Sequence, residues 1–342
     1  MLPQTFTIAT FNLYNLNLPG KKLYRGEPWT GVEYARKLAF SAMQLHEAQA
    51  DIVGLQELWH RDALIAMLQQ AELADEFEPL VPDDAKGTRI VCAAIVRKGL
   101  RVGEPRWIED FPEGFVLESK GDDPQARRAG AIRIGIRRFS RPVLRFDVKL
   151  HPKQPAAQVY VCHFKSKLPT RIDEEPWFED AYKPHRTALG AALSTIRRTT
   201  EAAALRWLLT DEMKTSDTPV IVLGDVNDGQ HSNTANILTE QPRYLTGDST
   251  GGGGNALYTA QTLQEYRDTR DVYYTHVHQD LRESLDHILV SEQFYDHGKK
   301  RIWLFDGLAI ANDHLDVEDH RAHGSGDHGI VRVRFKYKPA KA

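Results

Sequence analysis

The fold of this chain is decided by a short stretch, Val220-Ile-Val-Leu-Gly-Asp-Val-Asn227. Four apolar residues, three of them β-branched, precede a glycine, an acid and an amide. A short apolar run that ends in polar residues predicts a buried strand with its chemistry at the carboxyl end. The same pattern recurs along the chain, so the packing of these strands decides where their polar ends meet.

Five other apolar segments carry polar residues at one end. They are Asn12 after Thr5–Phe11, Gln56-Glu57 after Ile52–Leu55, His163 at the end of Val159–His163, Asp286-His287 before Ile288–Val290, and Asp327-His328 before Ile330–Phe335. A single such residue is usually structural, but the whole set converges if the strands share one sheet edge. Hard divalent cations take carboxylate and amide oxygens as ligands. The set therefore predicts a divalent-metal site.

Helical patterns separate the predicted strands. They cover Val32–Ala48, Arg61–Gln70, His185–Arg198 and Thr200–Met213, and further strand patterns cover Ile90–Val96, Ala131–Ile136 and Val143–Val148. Strict alternation of strand and helix is absent, which favours mixed sheets packed face to face with helices outside. No repeat or convincing linker divides the sequence, so we predict one domain over residues 1–342.

Composition limits the function classes. The chain is 41% hydrophobic and 27% charged, as in ordinary globular proteins. Its 44 basic and 47 acidic residues give a net charge of −3, so a binding site for a polyanion must be local.

Cysteine usage and hydropathy bear on location. Two cysteines, Cys92 and Cys162, cannot form a disulfide framework and favour a reducing compartment. The first residues lack a signal-peptide pattern, and no apolar run approaches the roughly 18 residues of a membrane helix. We therefore expect a cytoplasmic protein that does not associate with membranes.

The polar strand ends together resemble a known family. In family order they are Thr10-Phe-Asn12, Gln56-Glu57, His163, Gly224-Asp-Val-Asn227, Ser284-Leu-Asp-His287 and Gly326-Asp-His328. This set resembles the endonuclease/exonuclease/phosphatase superfamily, which includes deoxyribonuclease-I-like and abasic-site nucleases, inositol polyphosphate phosphatases and neutral sphingomyelinases. The resemblance runs from Phe6 to Phe335. It implies a four-layer α/β sandwich of two mixed β-sheets flanked by helices.

The resemblance implies a metal site and its ligands. Glu57 corresponds to the principal ligand, Asn12 lies beside it, and Asp327 is similar to an auxiliary ligand. The cofactor implied is Mg²⁺ or Mn²⁺.

The resemblance also implies roles in catalysis. Asp225 matches the general base or water-positioning residue, and Asn227 the residue that orients the scissile phosphate or a metal ligand. His328 matches the histidine that contacts a phosphate oxygen, with Asp286 as its carboxylate partner, and His163 matches a second histidine. Lys165 and Lys167 follow His163 directly, and we expect them to meet substrate phosphates at the cleft rim as point charges.

The function implied is metal-dependent hydrolysis of a phosphodiester by an activated water, with no Ser or Cys nucleophile. We favour a nuclease, specifically an endonuclease, with nucleic acid as substrate and no obligate protein partner. The alternative is a phosphatase or phosphodiesterase for a small substrate: an inositol phosphate, a sphingolipid head group or a nucleotide. Residues 171–184 and 241–283 would shape such a pocket. A scaffold that has lost its activity is disfavoured, because all the motif residues are present.

A second acid–histidine pair competes for the closing motif. Asn312-Asp-His314 also resembles it, but we prefer Asp327-His328 because an alternating strand pattern follows at once. Nearby, His320 and His323 have the i, i+3 spacing found in zinc sites, but we favour the simpler interpretation, a solvated histidine-rich loop.

Overall fold

Two six-stranded β-sheets form the centre of the molecule in the part of the chain that the structure, a computed structural model, describes. That part comprises residues 5–24, 26–119, 131–172, 178–214, 216–240, 255–268, 274–278, 281–317 and 319–340. Much of the two stretches predicted to shape a small pocket, 171–184 and 241–283, therefore lies outside the described residues.

The first sheet contains both chain-terminal strands. Its members are β1 (Thr5–Leu16), β2 (Ile52–His60), β3 (Phe77–Leu80), β4 (Lys86–Arg97), β15 (Trp303–Ala311) and β16 (Ile330–Tyr337). They lie in the order β15-β16-β1-β2-β4-β3, with β1 and β2 parallel and the other neighbours antiparallel.

The second sheet has a similar plan. Its members are β5 (Arg101–Asp110), β8 (Arg138–Val148), β9 (Ala157–His163), β10 (Val220–Asp225), β11 (Tyr258–Thr259) and β14 (Asp286–Val290). They lie in the order β11-β14-β10-β9-β8-β5, and β9 and β10 are its parallel pair. Two short ribbons, β6 (Leu117–Ser119) with β7 (Ile132–Ile134) and β12 (His276–His278) with β13 (Leu281–Glu283), stand apart from both sheets.

Helices cover the outer faces of the sheets. They are α1 (Gly31–Ala48), α2 (Arg61–Gln70), α3 (Arg186–Met213), α4 (Asn233–Thr239), α5 (Ala260–Glu265) and α6 (His320–His323), with 3-10 turns at Lys183–His185, Glu292–Phe294 and Asp313–Asp316. Leu64 of α2 packs in a core with Leu55 of the first sheet, and Leu205 of α3 packs with Val222 of the second.

Strand β10 shows why these strands are apolar throughout. Its residues alternate between two cores: Ile221 and Leu223 face the other sheet, whereas Val220 and Val222 face the α3 side. A strand that is covered on both faces needs apolar side chains at every position. The predicted four-layer α/β sandwich of two mixed sheets is thus confirmed.

Some boundaries predicted from the sequence were wrong. The two helices predicted over residues 185–213 form one helix, α3, because the hydroxyls of Thr199 and Thr200 donate back to helix carbonyls without breaking it. The strand predicted over Ala131–Ile136 is shorter in the structure, where β7 covers only Ile132–Ile134. Within the two six-stranded sheets, strands β3, β5, β11 and β15 were missed. All four are edge strands, where polar residues and a proline such as Pro105 are tolerated.

None of the helices in the described ranges is both long and apolar enough to cross a membrane.

The topology brings the polar strand ends to one edge. Carboxyl ends of the parallel strands β1 and β2 face the same way, as do those of β9 and β10. Because β16 and β14 run antiparallel to their neighbours, they contribute their amino ends at this same edge.

Candidate active site

A polar cleft of about 360 Å³ opens where these strand ends meet. Six of the residues predicted from the motifs line it: Glu57, His163, Asp225, Asn227, Asp327 and His328. Two others, Asn12 and Asp286, are fully buried beneath it and bond to members of this group. The structure therefore brings all eight motif residues together, while their roles in catalysis and metal binding stay predictions.

Asp225 lies at the centre of a hydrogen-bond network. Its Oδ1 accepts from the backbone N–H of Asn227 at 2.8 Å, and its Oδ2 accepts from Nδ2 of Asn12 at 3.1 Å. Nε2 of His163 is 3.4 Å from the same Oδ2. Burial and the nearby charge of Asp286 raise the pKa of Asp225 to about 7, so the carboxyl is poised to accept a proton near neutral pH.

A glycine allows this network to form. Gly224 has φ +148°, and a Cβ there would lie 2.0 Å from the carbonyl oxygen of Cys162 on β9. Only glycine lets the backbone approach so closely at this φ. As a result, Asp225 is paired in register with His163 on one side and with Asp286 on the other.

His163 and His328, the two predicted histidines that line the cleft, differ in charge. Nδ1 of His328 is 2.8 Å from Oδ2 of Asp286. Burial alone would lower the pKa of His328, but the carboxylates of Asp286 and Asp327 raise it well above its ordinary value, which favours the imidazolium. The pKa of His163 is held well below its ordinary value by burial and by the Arg141 charge, so this ring is neutral.

Glu57 is presented by a strained backbone. It has φ +58°, and its Oε2 accepts from the N–H of Asn15, which itself has φ +56°. Asn15 is anchored by two buried tryptophans: Trp29 Nε1 donates to its carbonyl at 2.8 Å, and Trp59 Nε1 donates to its Oδ1 at 2.9 Å. Left-handed backbone at residues other than glycine costs free energy and tends to occur at functional sites.

The residues around Glu57 fit a divalent cation. Oδ1 of Asp327 is buried and has no hydrogen-bond partner among the described residues. Burial and the charge of Asp327 raise the pKa of Glu57, as expected for two neighbouring carboxylates. Oδ1 of Asn12 accepts one bond, from the N–H of Tyr14 at 3.0 Å, and keeps a second lone pair. Glu57, Asp327 and Asn12 could therefore hold a hard metal ion through oxygen.

The two lysines predicted at the rim both have partners within the protein. Nζ of Lys165 donates to the carbonyls of Ser166 at 3.2 Å and Leu168 at 2.9 Å. Lys167 does line the cleft, but it forms an ion pair with Glu283 and its Nζ is 3.8 Å from Asp228. Carboxylates thus partly neutralise the one lysine that faces the cleft.

Asp313-His314, the pair that competes for the closing motif, contacts His328 from behind the cleft and does not line it. Nε2 of His314 is 2.9 Å from the carbonyl oxygen of His328, and its ring packs on Phe40. Nδ1 of His320 lies within hydrogen-bond distance of the Ser325 hydroxyl, and Nδ1 of His323 lies within hydrogen-bond distance of the Asp319 carbonyl. These histidines do not share a ligand position, which is consistent with the simpler interpretation of their spacing.

Several groups near the cleft were missed in the sequence, and His278 on its rim is one of them. Arg141 and His276 line it, and Lys37 of α1 is fully buried, with Nζ 5.0 Å from the Tyr14 ring and 5.3 Å from the Trp29 ring. Burial lowers the pKa of Lys37 to about 8, although the charges of Asp327 and Glu57 oppose this shift. Lys37 falls on the core side of an amphipathic helix, and this position was the sequence feature that could have identified it. Arg141 and His276 stand in no motif.

Comparison with known sequences decides the family. The sequence profile of the Endonuclease/Exonuclease/phosphatase family matches residues 9–328. The chain belongs to this family. Its members are phosphoester hydrolases that typically depend on a divalent metal, and the acidic and imidazole groups described above could bind one. No curated protein matches the sequence significantly.

Solved structures show the same fold at low identity. The human Nocturnin catalytic domain with bound sulfate has a TM-score of 0.56 and 14% identity, covering 98% of this chain and 96% of that one. Truncated Caenorhabditis elegans TDP2 has a TM-score of 0.54 and 13% identity, covering 97% of each chain. A Bacteroides thetaiotaomicron mannosyl-6-phosphatase has a TM-score of 0.51 and 14% identity, covering 97% and 100%.

Proposed function

We propose that this chain is a Mg²⁺- or Mn²⁺-dependent phosphodiesterase that cleaves nucleic acid as an endonuclease. One observation carries the proposal: Asp225, with both oxygens in hydrogen bonds, lies between two histidines at the floor of a cleft whose opposite side offers the carboxylates of Glu57 and Asp327. In-line hydrolysis needs a base, a positive group for the phosphate and a cation. These residues supply the first two and the ligands that would hold the third.

The water would be activated on the Asp225 side. The Asp225 carboxyl has a pKa of about 7, and hydrogen bonds from the Asn12 side chain and the Asn227 N–H fix its orientation. A positioned base of this kind contributes ~10²–10⁴-fold to the rate. His163 is neutral and close enough to Asp225 to orient it or to hold the same water.

The phosphate would be held between His328 and Asn227. The His328 ring is fixed through Nδ1 by Asp286, so Nε2 faces the cleft as a charged donor. The side chain of Asn227 donates to the carbonyl of Phe164 at 3.1 Å, which leaves its Oδ1 toward the cleft. Glu57, Asp327 and Asn12 would hold the metal, which neutralises charge on the non-bridging oxygens and leaving group.

The shape of the cleft supports an extended substrate. Four of its residues, Tyr24, Arg141, Ser166 and Leu168, also line a second hollow of about 440 Å³ that continues past Arg89. Tyr24 is 55% exposed at the junction, and its ring centroid is 5.2 Å from that of buried Trp59. An anchored aromatic ring beside arginines suits a nucleotide chain, because it can stack with a base while the cations meet the backbone.

The second candidate is hydrolysis of a small phosphoester such as an inositol phosphate, a sphingolipid head group or a nucleotide. Two observations favour it: the net charge of −3, and the fold shared with a protein described as a mannosyl-6-phosphatase. We expect no membrane contact and no obligate protein partner in either case, and a cytoplasmic location remains a prediction.

The test is metal-dependent hydrolysis by the wild type and Asp225→Ala. Supercoiled plasmid, single-stranded RNA, a chromogenic phosphodiester and a phosphomonoester are each offered with and without Mg²⁺. We expect plasmid nicking or internal RNA cleavage that requires Mg²⁺ and falls ~10²–10⁴-fold in the variant.

Asp110→Ala is the matched control, because its carboxylate is 67% exposed on β5, away from the residues that line the cleft. It should retain wild-type turnover. Cleavage of the small substrates alone would replace the nuclease with the second candidate. Wild-type turnover by Asp225→Ala would contradict the assignment of the base.

A further inference from the structure

His276 faces the candidate active site from the β12–β13 ribbon. A single antiparallel bridge pairs its backbone with that of His328, and the two rings lie with centroids 4.9 Å apart. The ribbon therefore holds this imidazole over the cleft, next to the closing Asp327-His328 motif. No part of the proposed hydrolysis uses it.

His276, Asp327 and His328 each offer one ligand atom, and these atoms lie within 4.8 Å of one another. Nδ1 of His276 and Oδ1 of Asp327 are buried and lack a hydrogen-bond partner within the described ranges. Asp286 occupies Nδ1 of His328, which leaves Nε2 as the available nitrogen. Buried polar atoms are almost always satisfied, so this convergence indicates a bound ion or water.

We propose that His276, Asp327 and His328 form a second, inhibitory site for a transition metal such as Zn²⁺. Two imidazoles and one carboxylate are a donor set that Zn²⁺ and Co²⁺ bind well, with a fourth position left to water. Mg²⁺ prefers oxygen ligands and is expected instead at Glu57, Asp327 and Asn12. Asp286 orients the His328 ring, as carboxylates do for histidines that bind zinc.

Inhibition follows from shared residues, and this part rests on the proposed function. A metal on Nε2 of His328 takes the place of the proton there, which leaves to solvent. The ring then has no N–H on that side to offer to a phosphate oxygen. Asp327 is also drawn away from the Mg²⁺ ligands, so the two metal positions compete.

Binding is tested without any substrate. Co²⁺ is titrated into metal-free wild type, His276→Ala and His278→Ala, and its visible d–d absorption reports coordination by nitrogen. His278 is the matched control, because it lies two residues along the same strand with its ring 6.2 Å from that of His276. We expect a saturable spectrum that Zn²⁺ displaces at similar concentration and Mg²⁺ displaces only in large excess. The affinity should be unchanged in His278→Ala and at least ~10-fold weaker in His276→Ala.

Thermal melting checks that each variant is folded, and His276→Gln is used if the alanine variant is not. Absence of a Co²⁺ spectrum in the wild type would overturn the proposed site. Equal Co²⁺ affinity in wild type and in a folded His276 variant would also overturn it.

The inhibitory role is measured as Zn²⁺ inhibition of Mg²⁺-dependent hydrolysis, with each variant normalised to its own uninhibited rate. We expect the inhibitory Zn²⁺ concentration to rise at least ~10-fold in His276→Ala and to stay unchanged in His278→Ala. The same Zn²⁺ sensitivity in His276→Ala would overturn the inhibitory role. Failure of all substrates to react would count against the proposed function alone, because Co²⁺ binding still decides the site.

Discussion

The two sides of the cleft differ in how fully their oxygens are bonded. On the side of the first sheet, Asp327 Oδ1 has no partner among the described residues and Glu57 receives a backbone N–H from Asn15. On the side of the second sheet, both oxygens of Asp225, which lines the cleft, accept hydrogen bonds, whereas the unpartnered Oδ1 of Asp286 is buried beneath it. Unsatisfied oxygens suit the binding of a cation, whereas a fully bonded carboxylate is already oriented to position water. The difference indicates different roles for the two sheets: the first suits cation binding and the second suits positioning of water.

His328 joins the two sides, because it precedes β16 of the first sheet and bonds to Asp286 of the second. After the loss of Asp225 itself, its removal should therefore produce the largest effect. We expect His328→Ala to lower kcat ~10²–10³-fold, as for loss of one transition-state donor. Steady-state kinetics at saturating Mg²⁺ measures this loss.

His314→Ala is the matched comparison for that variant. It removes a contact to the His328 carbonyl but no group that lines the cleft, so we expect a lower melting temperature and less than a ~10-fold loss of kcat. If His314→Ala were the more damaging variant in kcat, the active site would have to be placed at residues 313–314.

Glu57→Gln tests the cation side directly. It keeps the shape of the side chain but removes a charged ligand, so the Mg²⁺ concentration for half-maximal rate should rise about 10–100-fold. Excess Mg²⁺ should restore part of the activity to this variant and none to Asp225→Ala. Rescue of both variants, or of neither, would remove the distinction between the two sides.

Tyr24→Ala tests whether the cleft serves a chain of nucleotides. Loss of one stacked base costs about 1–3 kcal/mol, so cleavage of single-stranded substrate should fall about tenfold in kcat/KM. Turnover of a small phosphodiester should be unaffected, because it does not reach the second hollow. An equal loss on both substrates would place Tyr24 in the support of Trp59 rather than in substrate binding.

A further expected effect is on stability without metal rather than on rate. The pKa of Asp225 is about 7 in the fold and near 3.8 in an unfolded chain, so between these values only the folded state holds the proton. The Asp225 contribution to the free energy of unfolding should therefore decline as pH rises from about 4 to about 7. Chemical denaturation of wild type and Asp225→Asn across this range measures it, and identical pH slopes would refute the raised pKa.

Much of the fold was readable because central strands must be apolar on both faces. For that reason the apolar pattern predicts strands over Val220 to Leu223 and around Ile8 and Ile52. It does not predict edge strands such as β5 and β15. The motif residues were readable for a related reason, since each interrupts or closes an apolar run.

The sequence by itself determined the layered α/β architecture, the family resemblance and the polar strand ends. These features depend only on the pattern of residues that are close together in the chain. Only the tertiary structure decided which of these groups carry charge, which oxygens remain unsatisfied, and that Lys165 turns back to its own loop. It alone placed Arg141 and His276 at the cleft. Those properties depend on burial and on distances between residues remote in sequence, and no pattern along the chain encodes either.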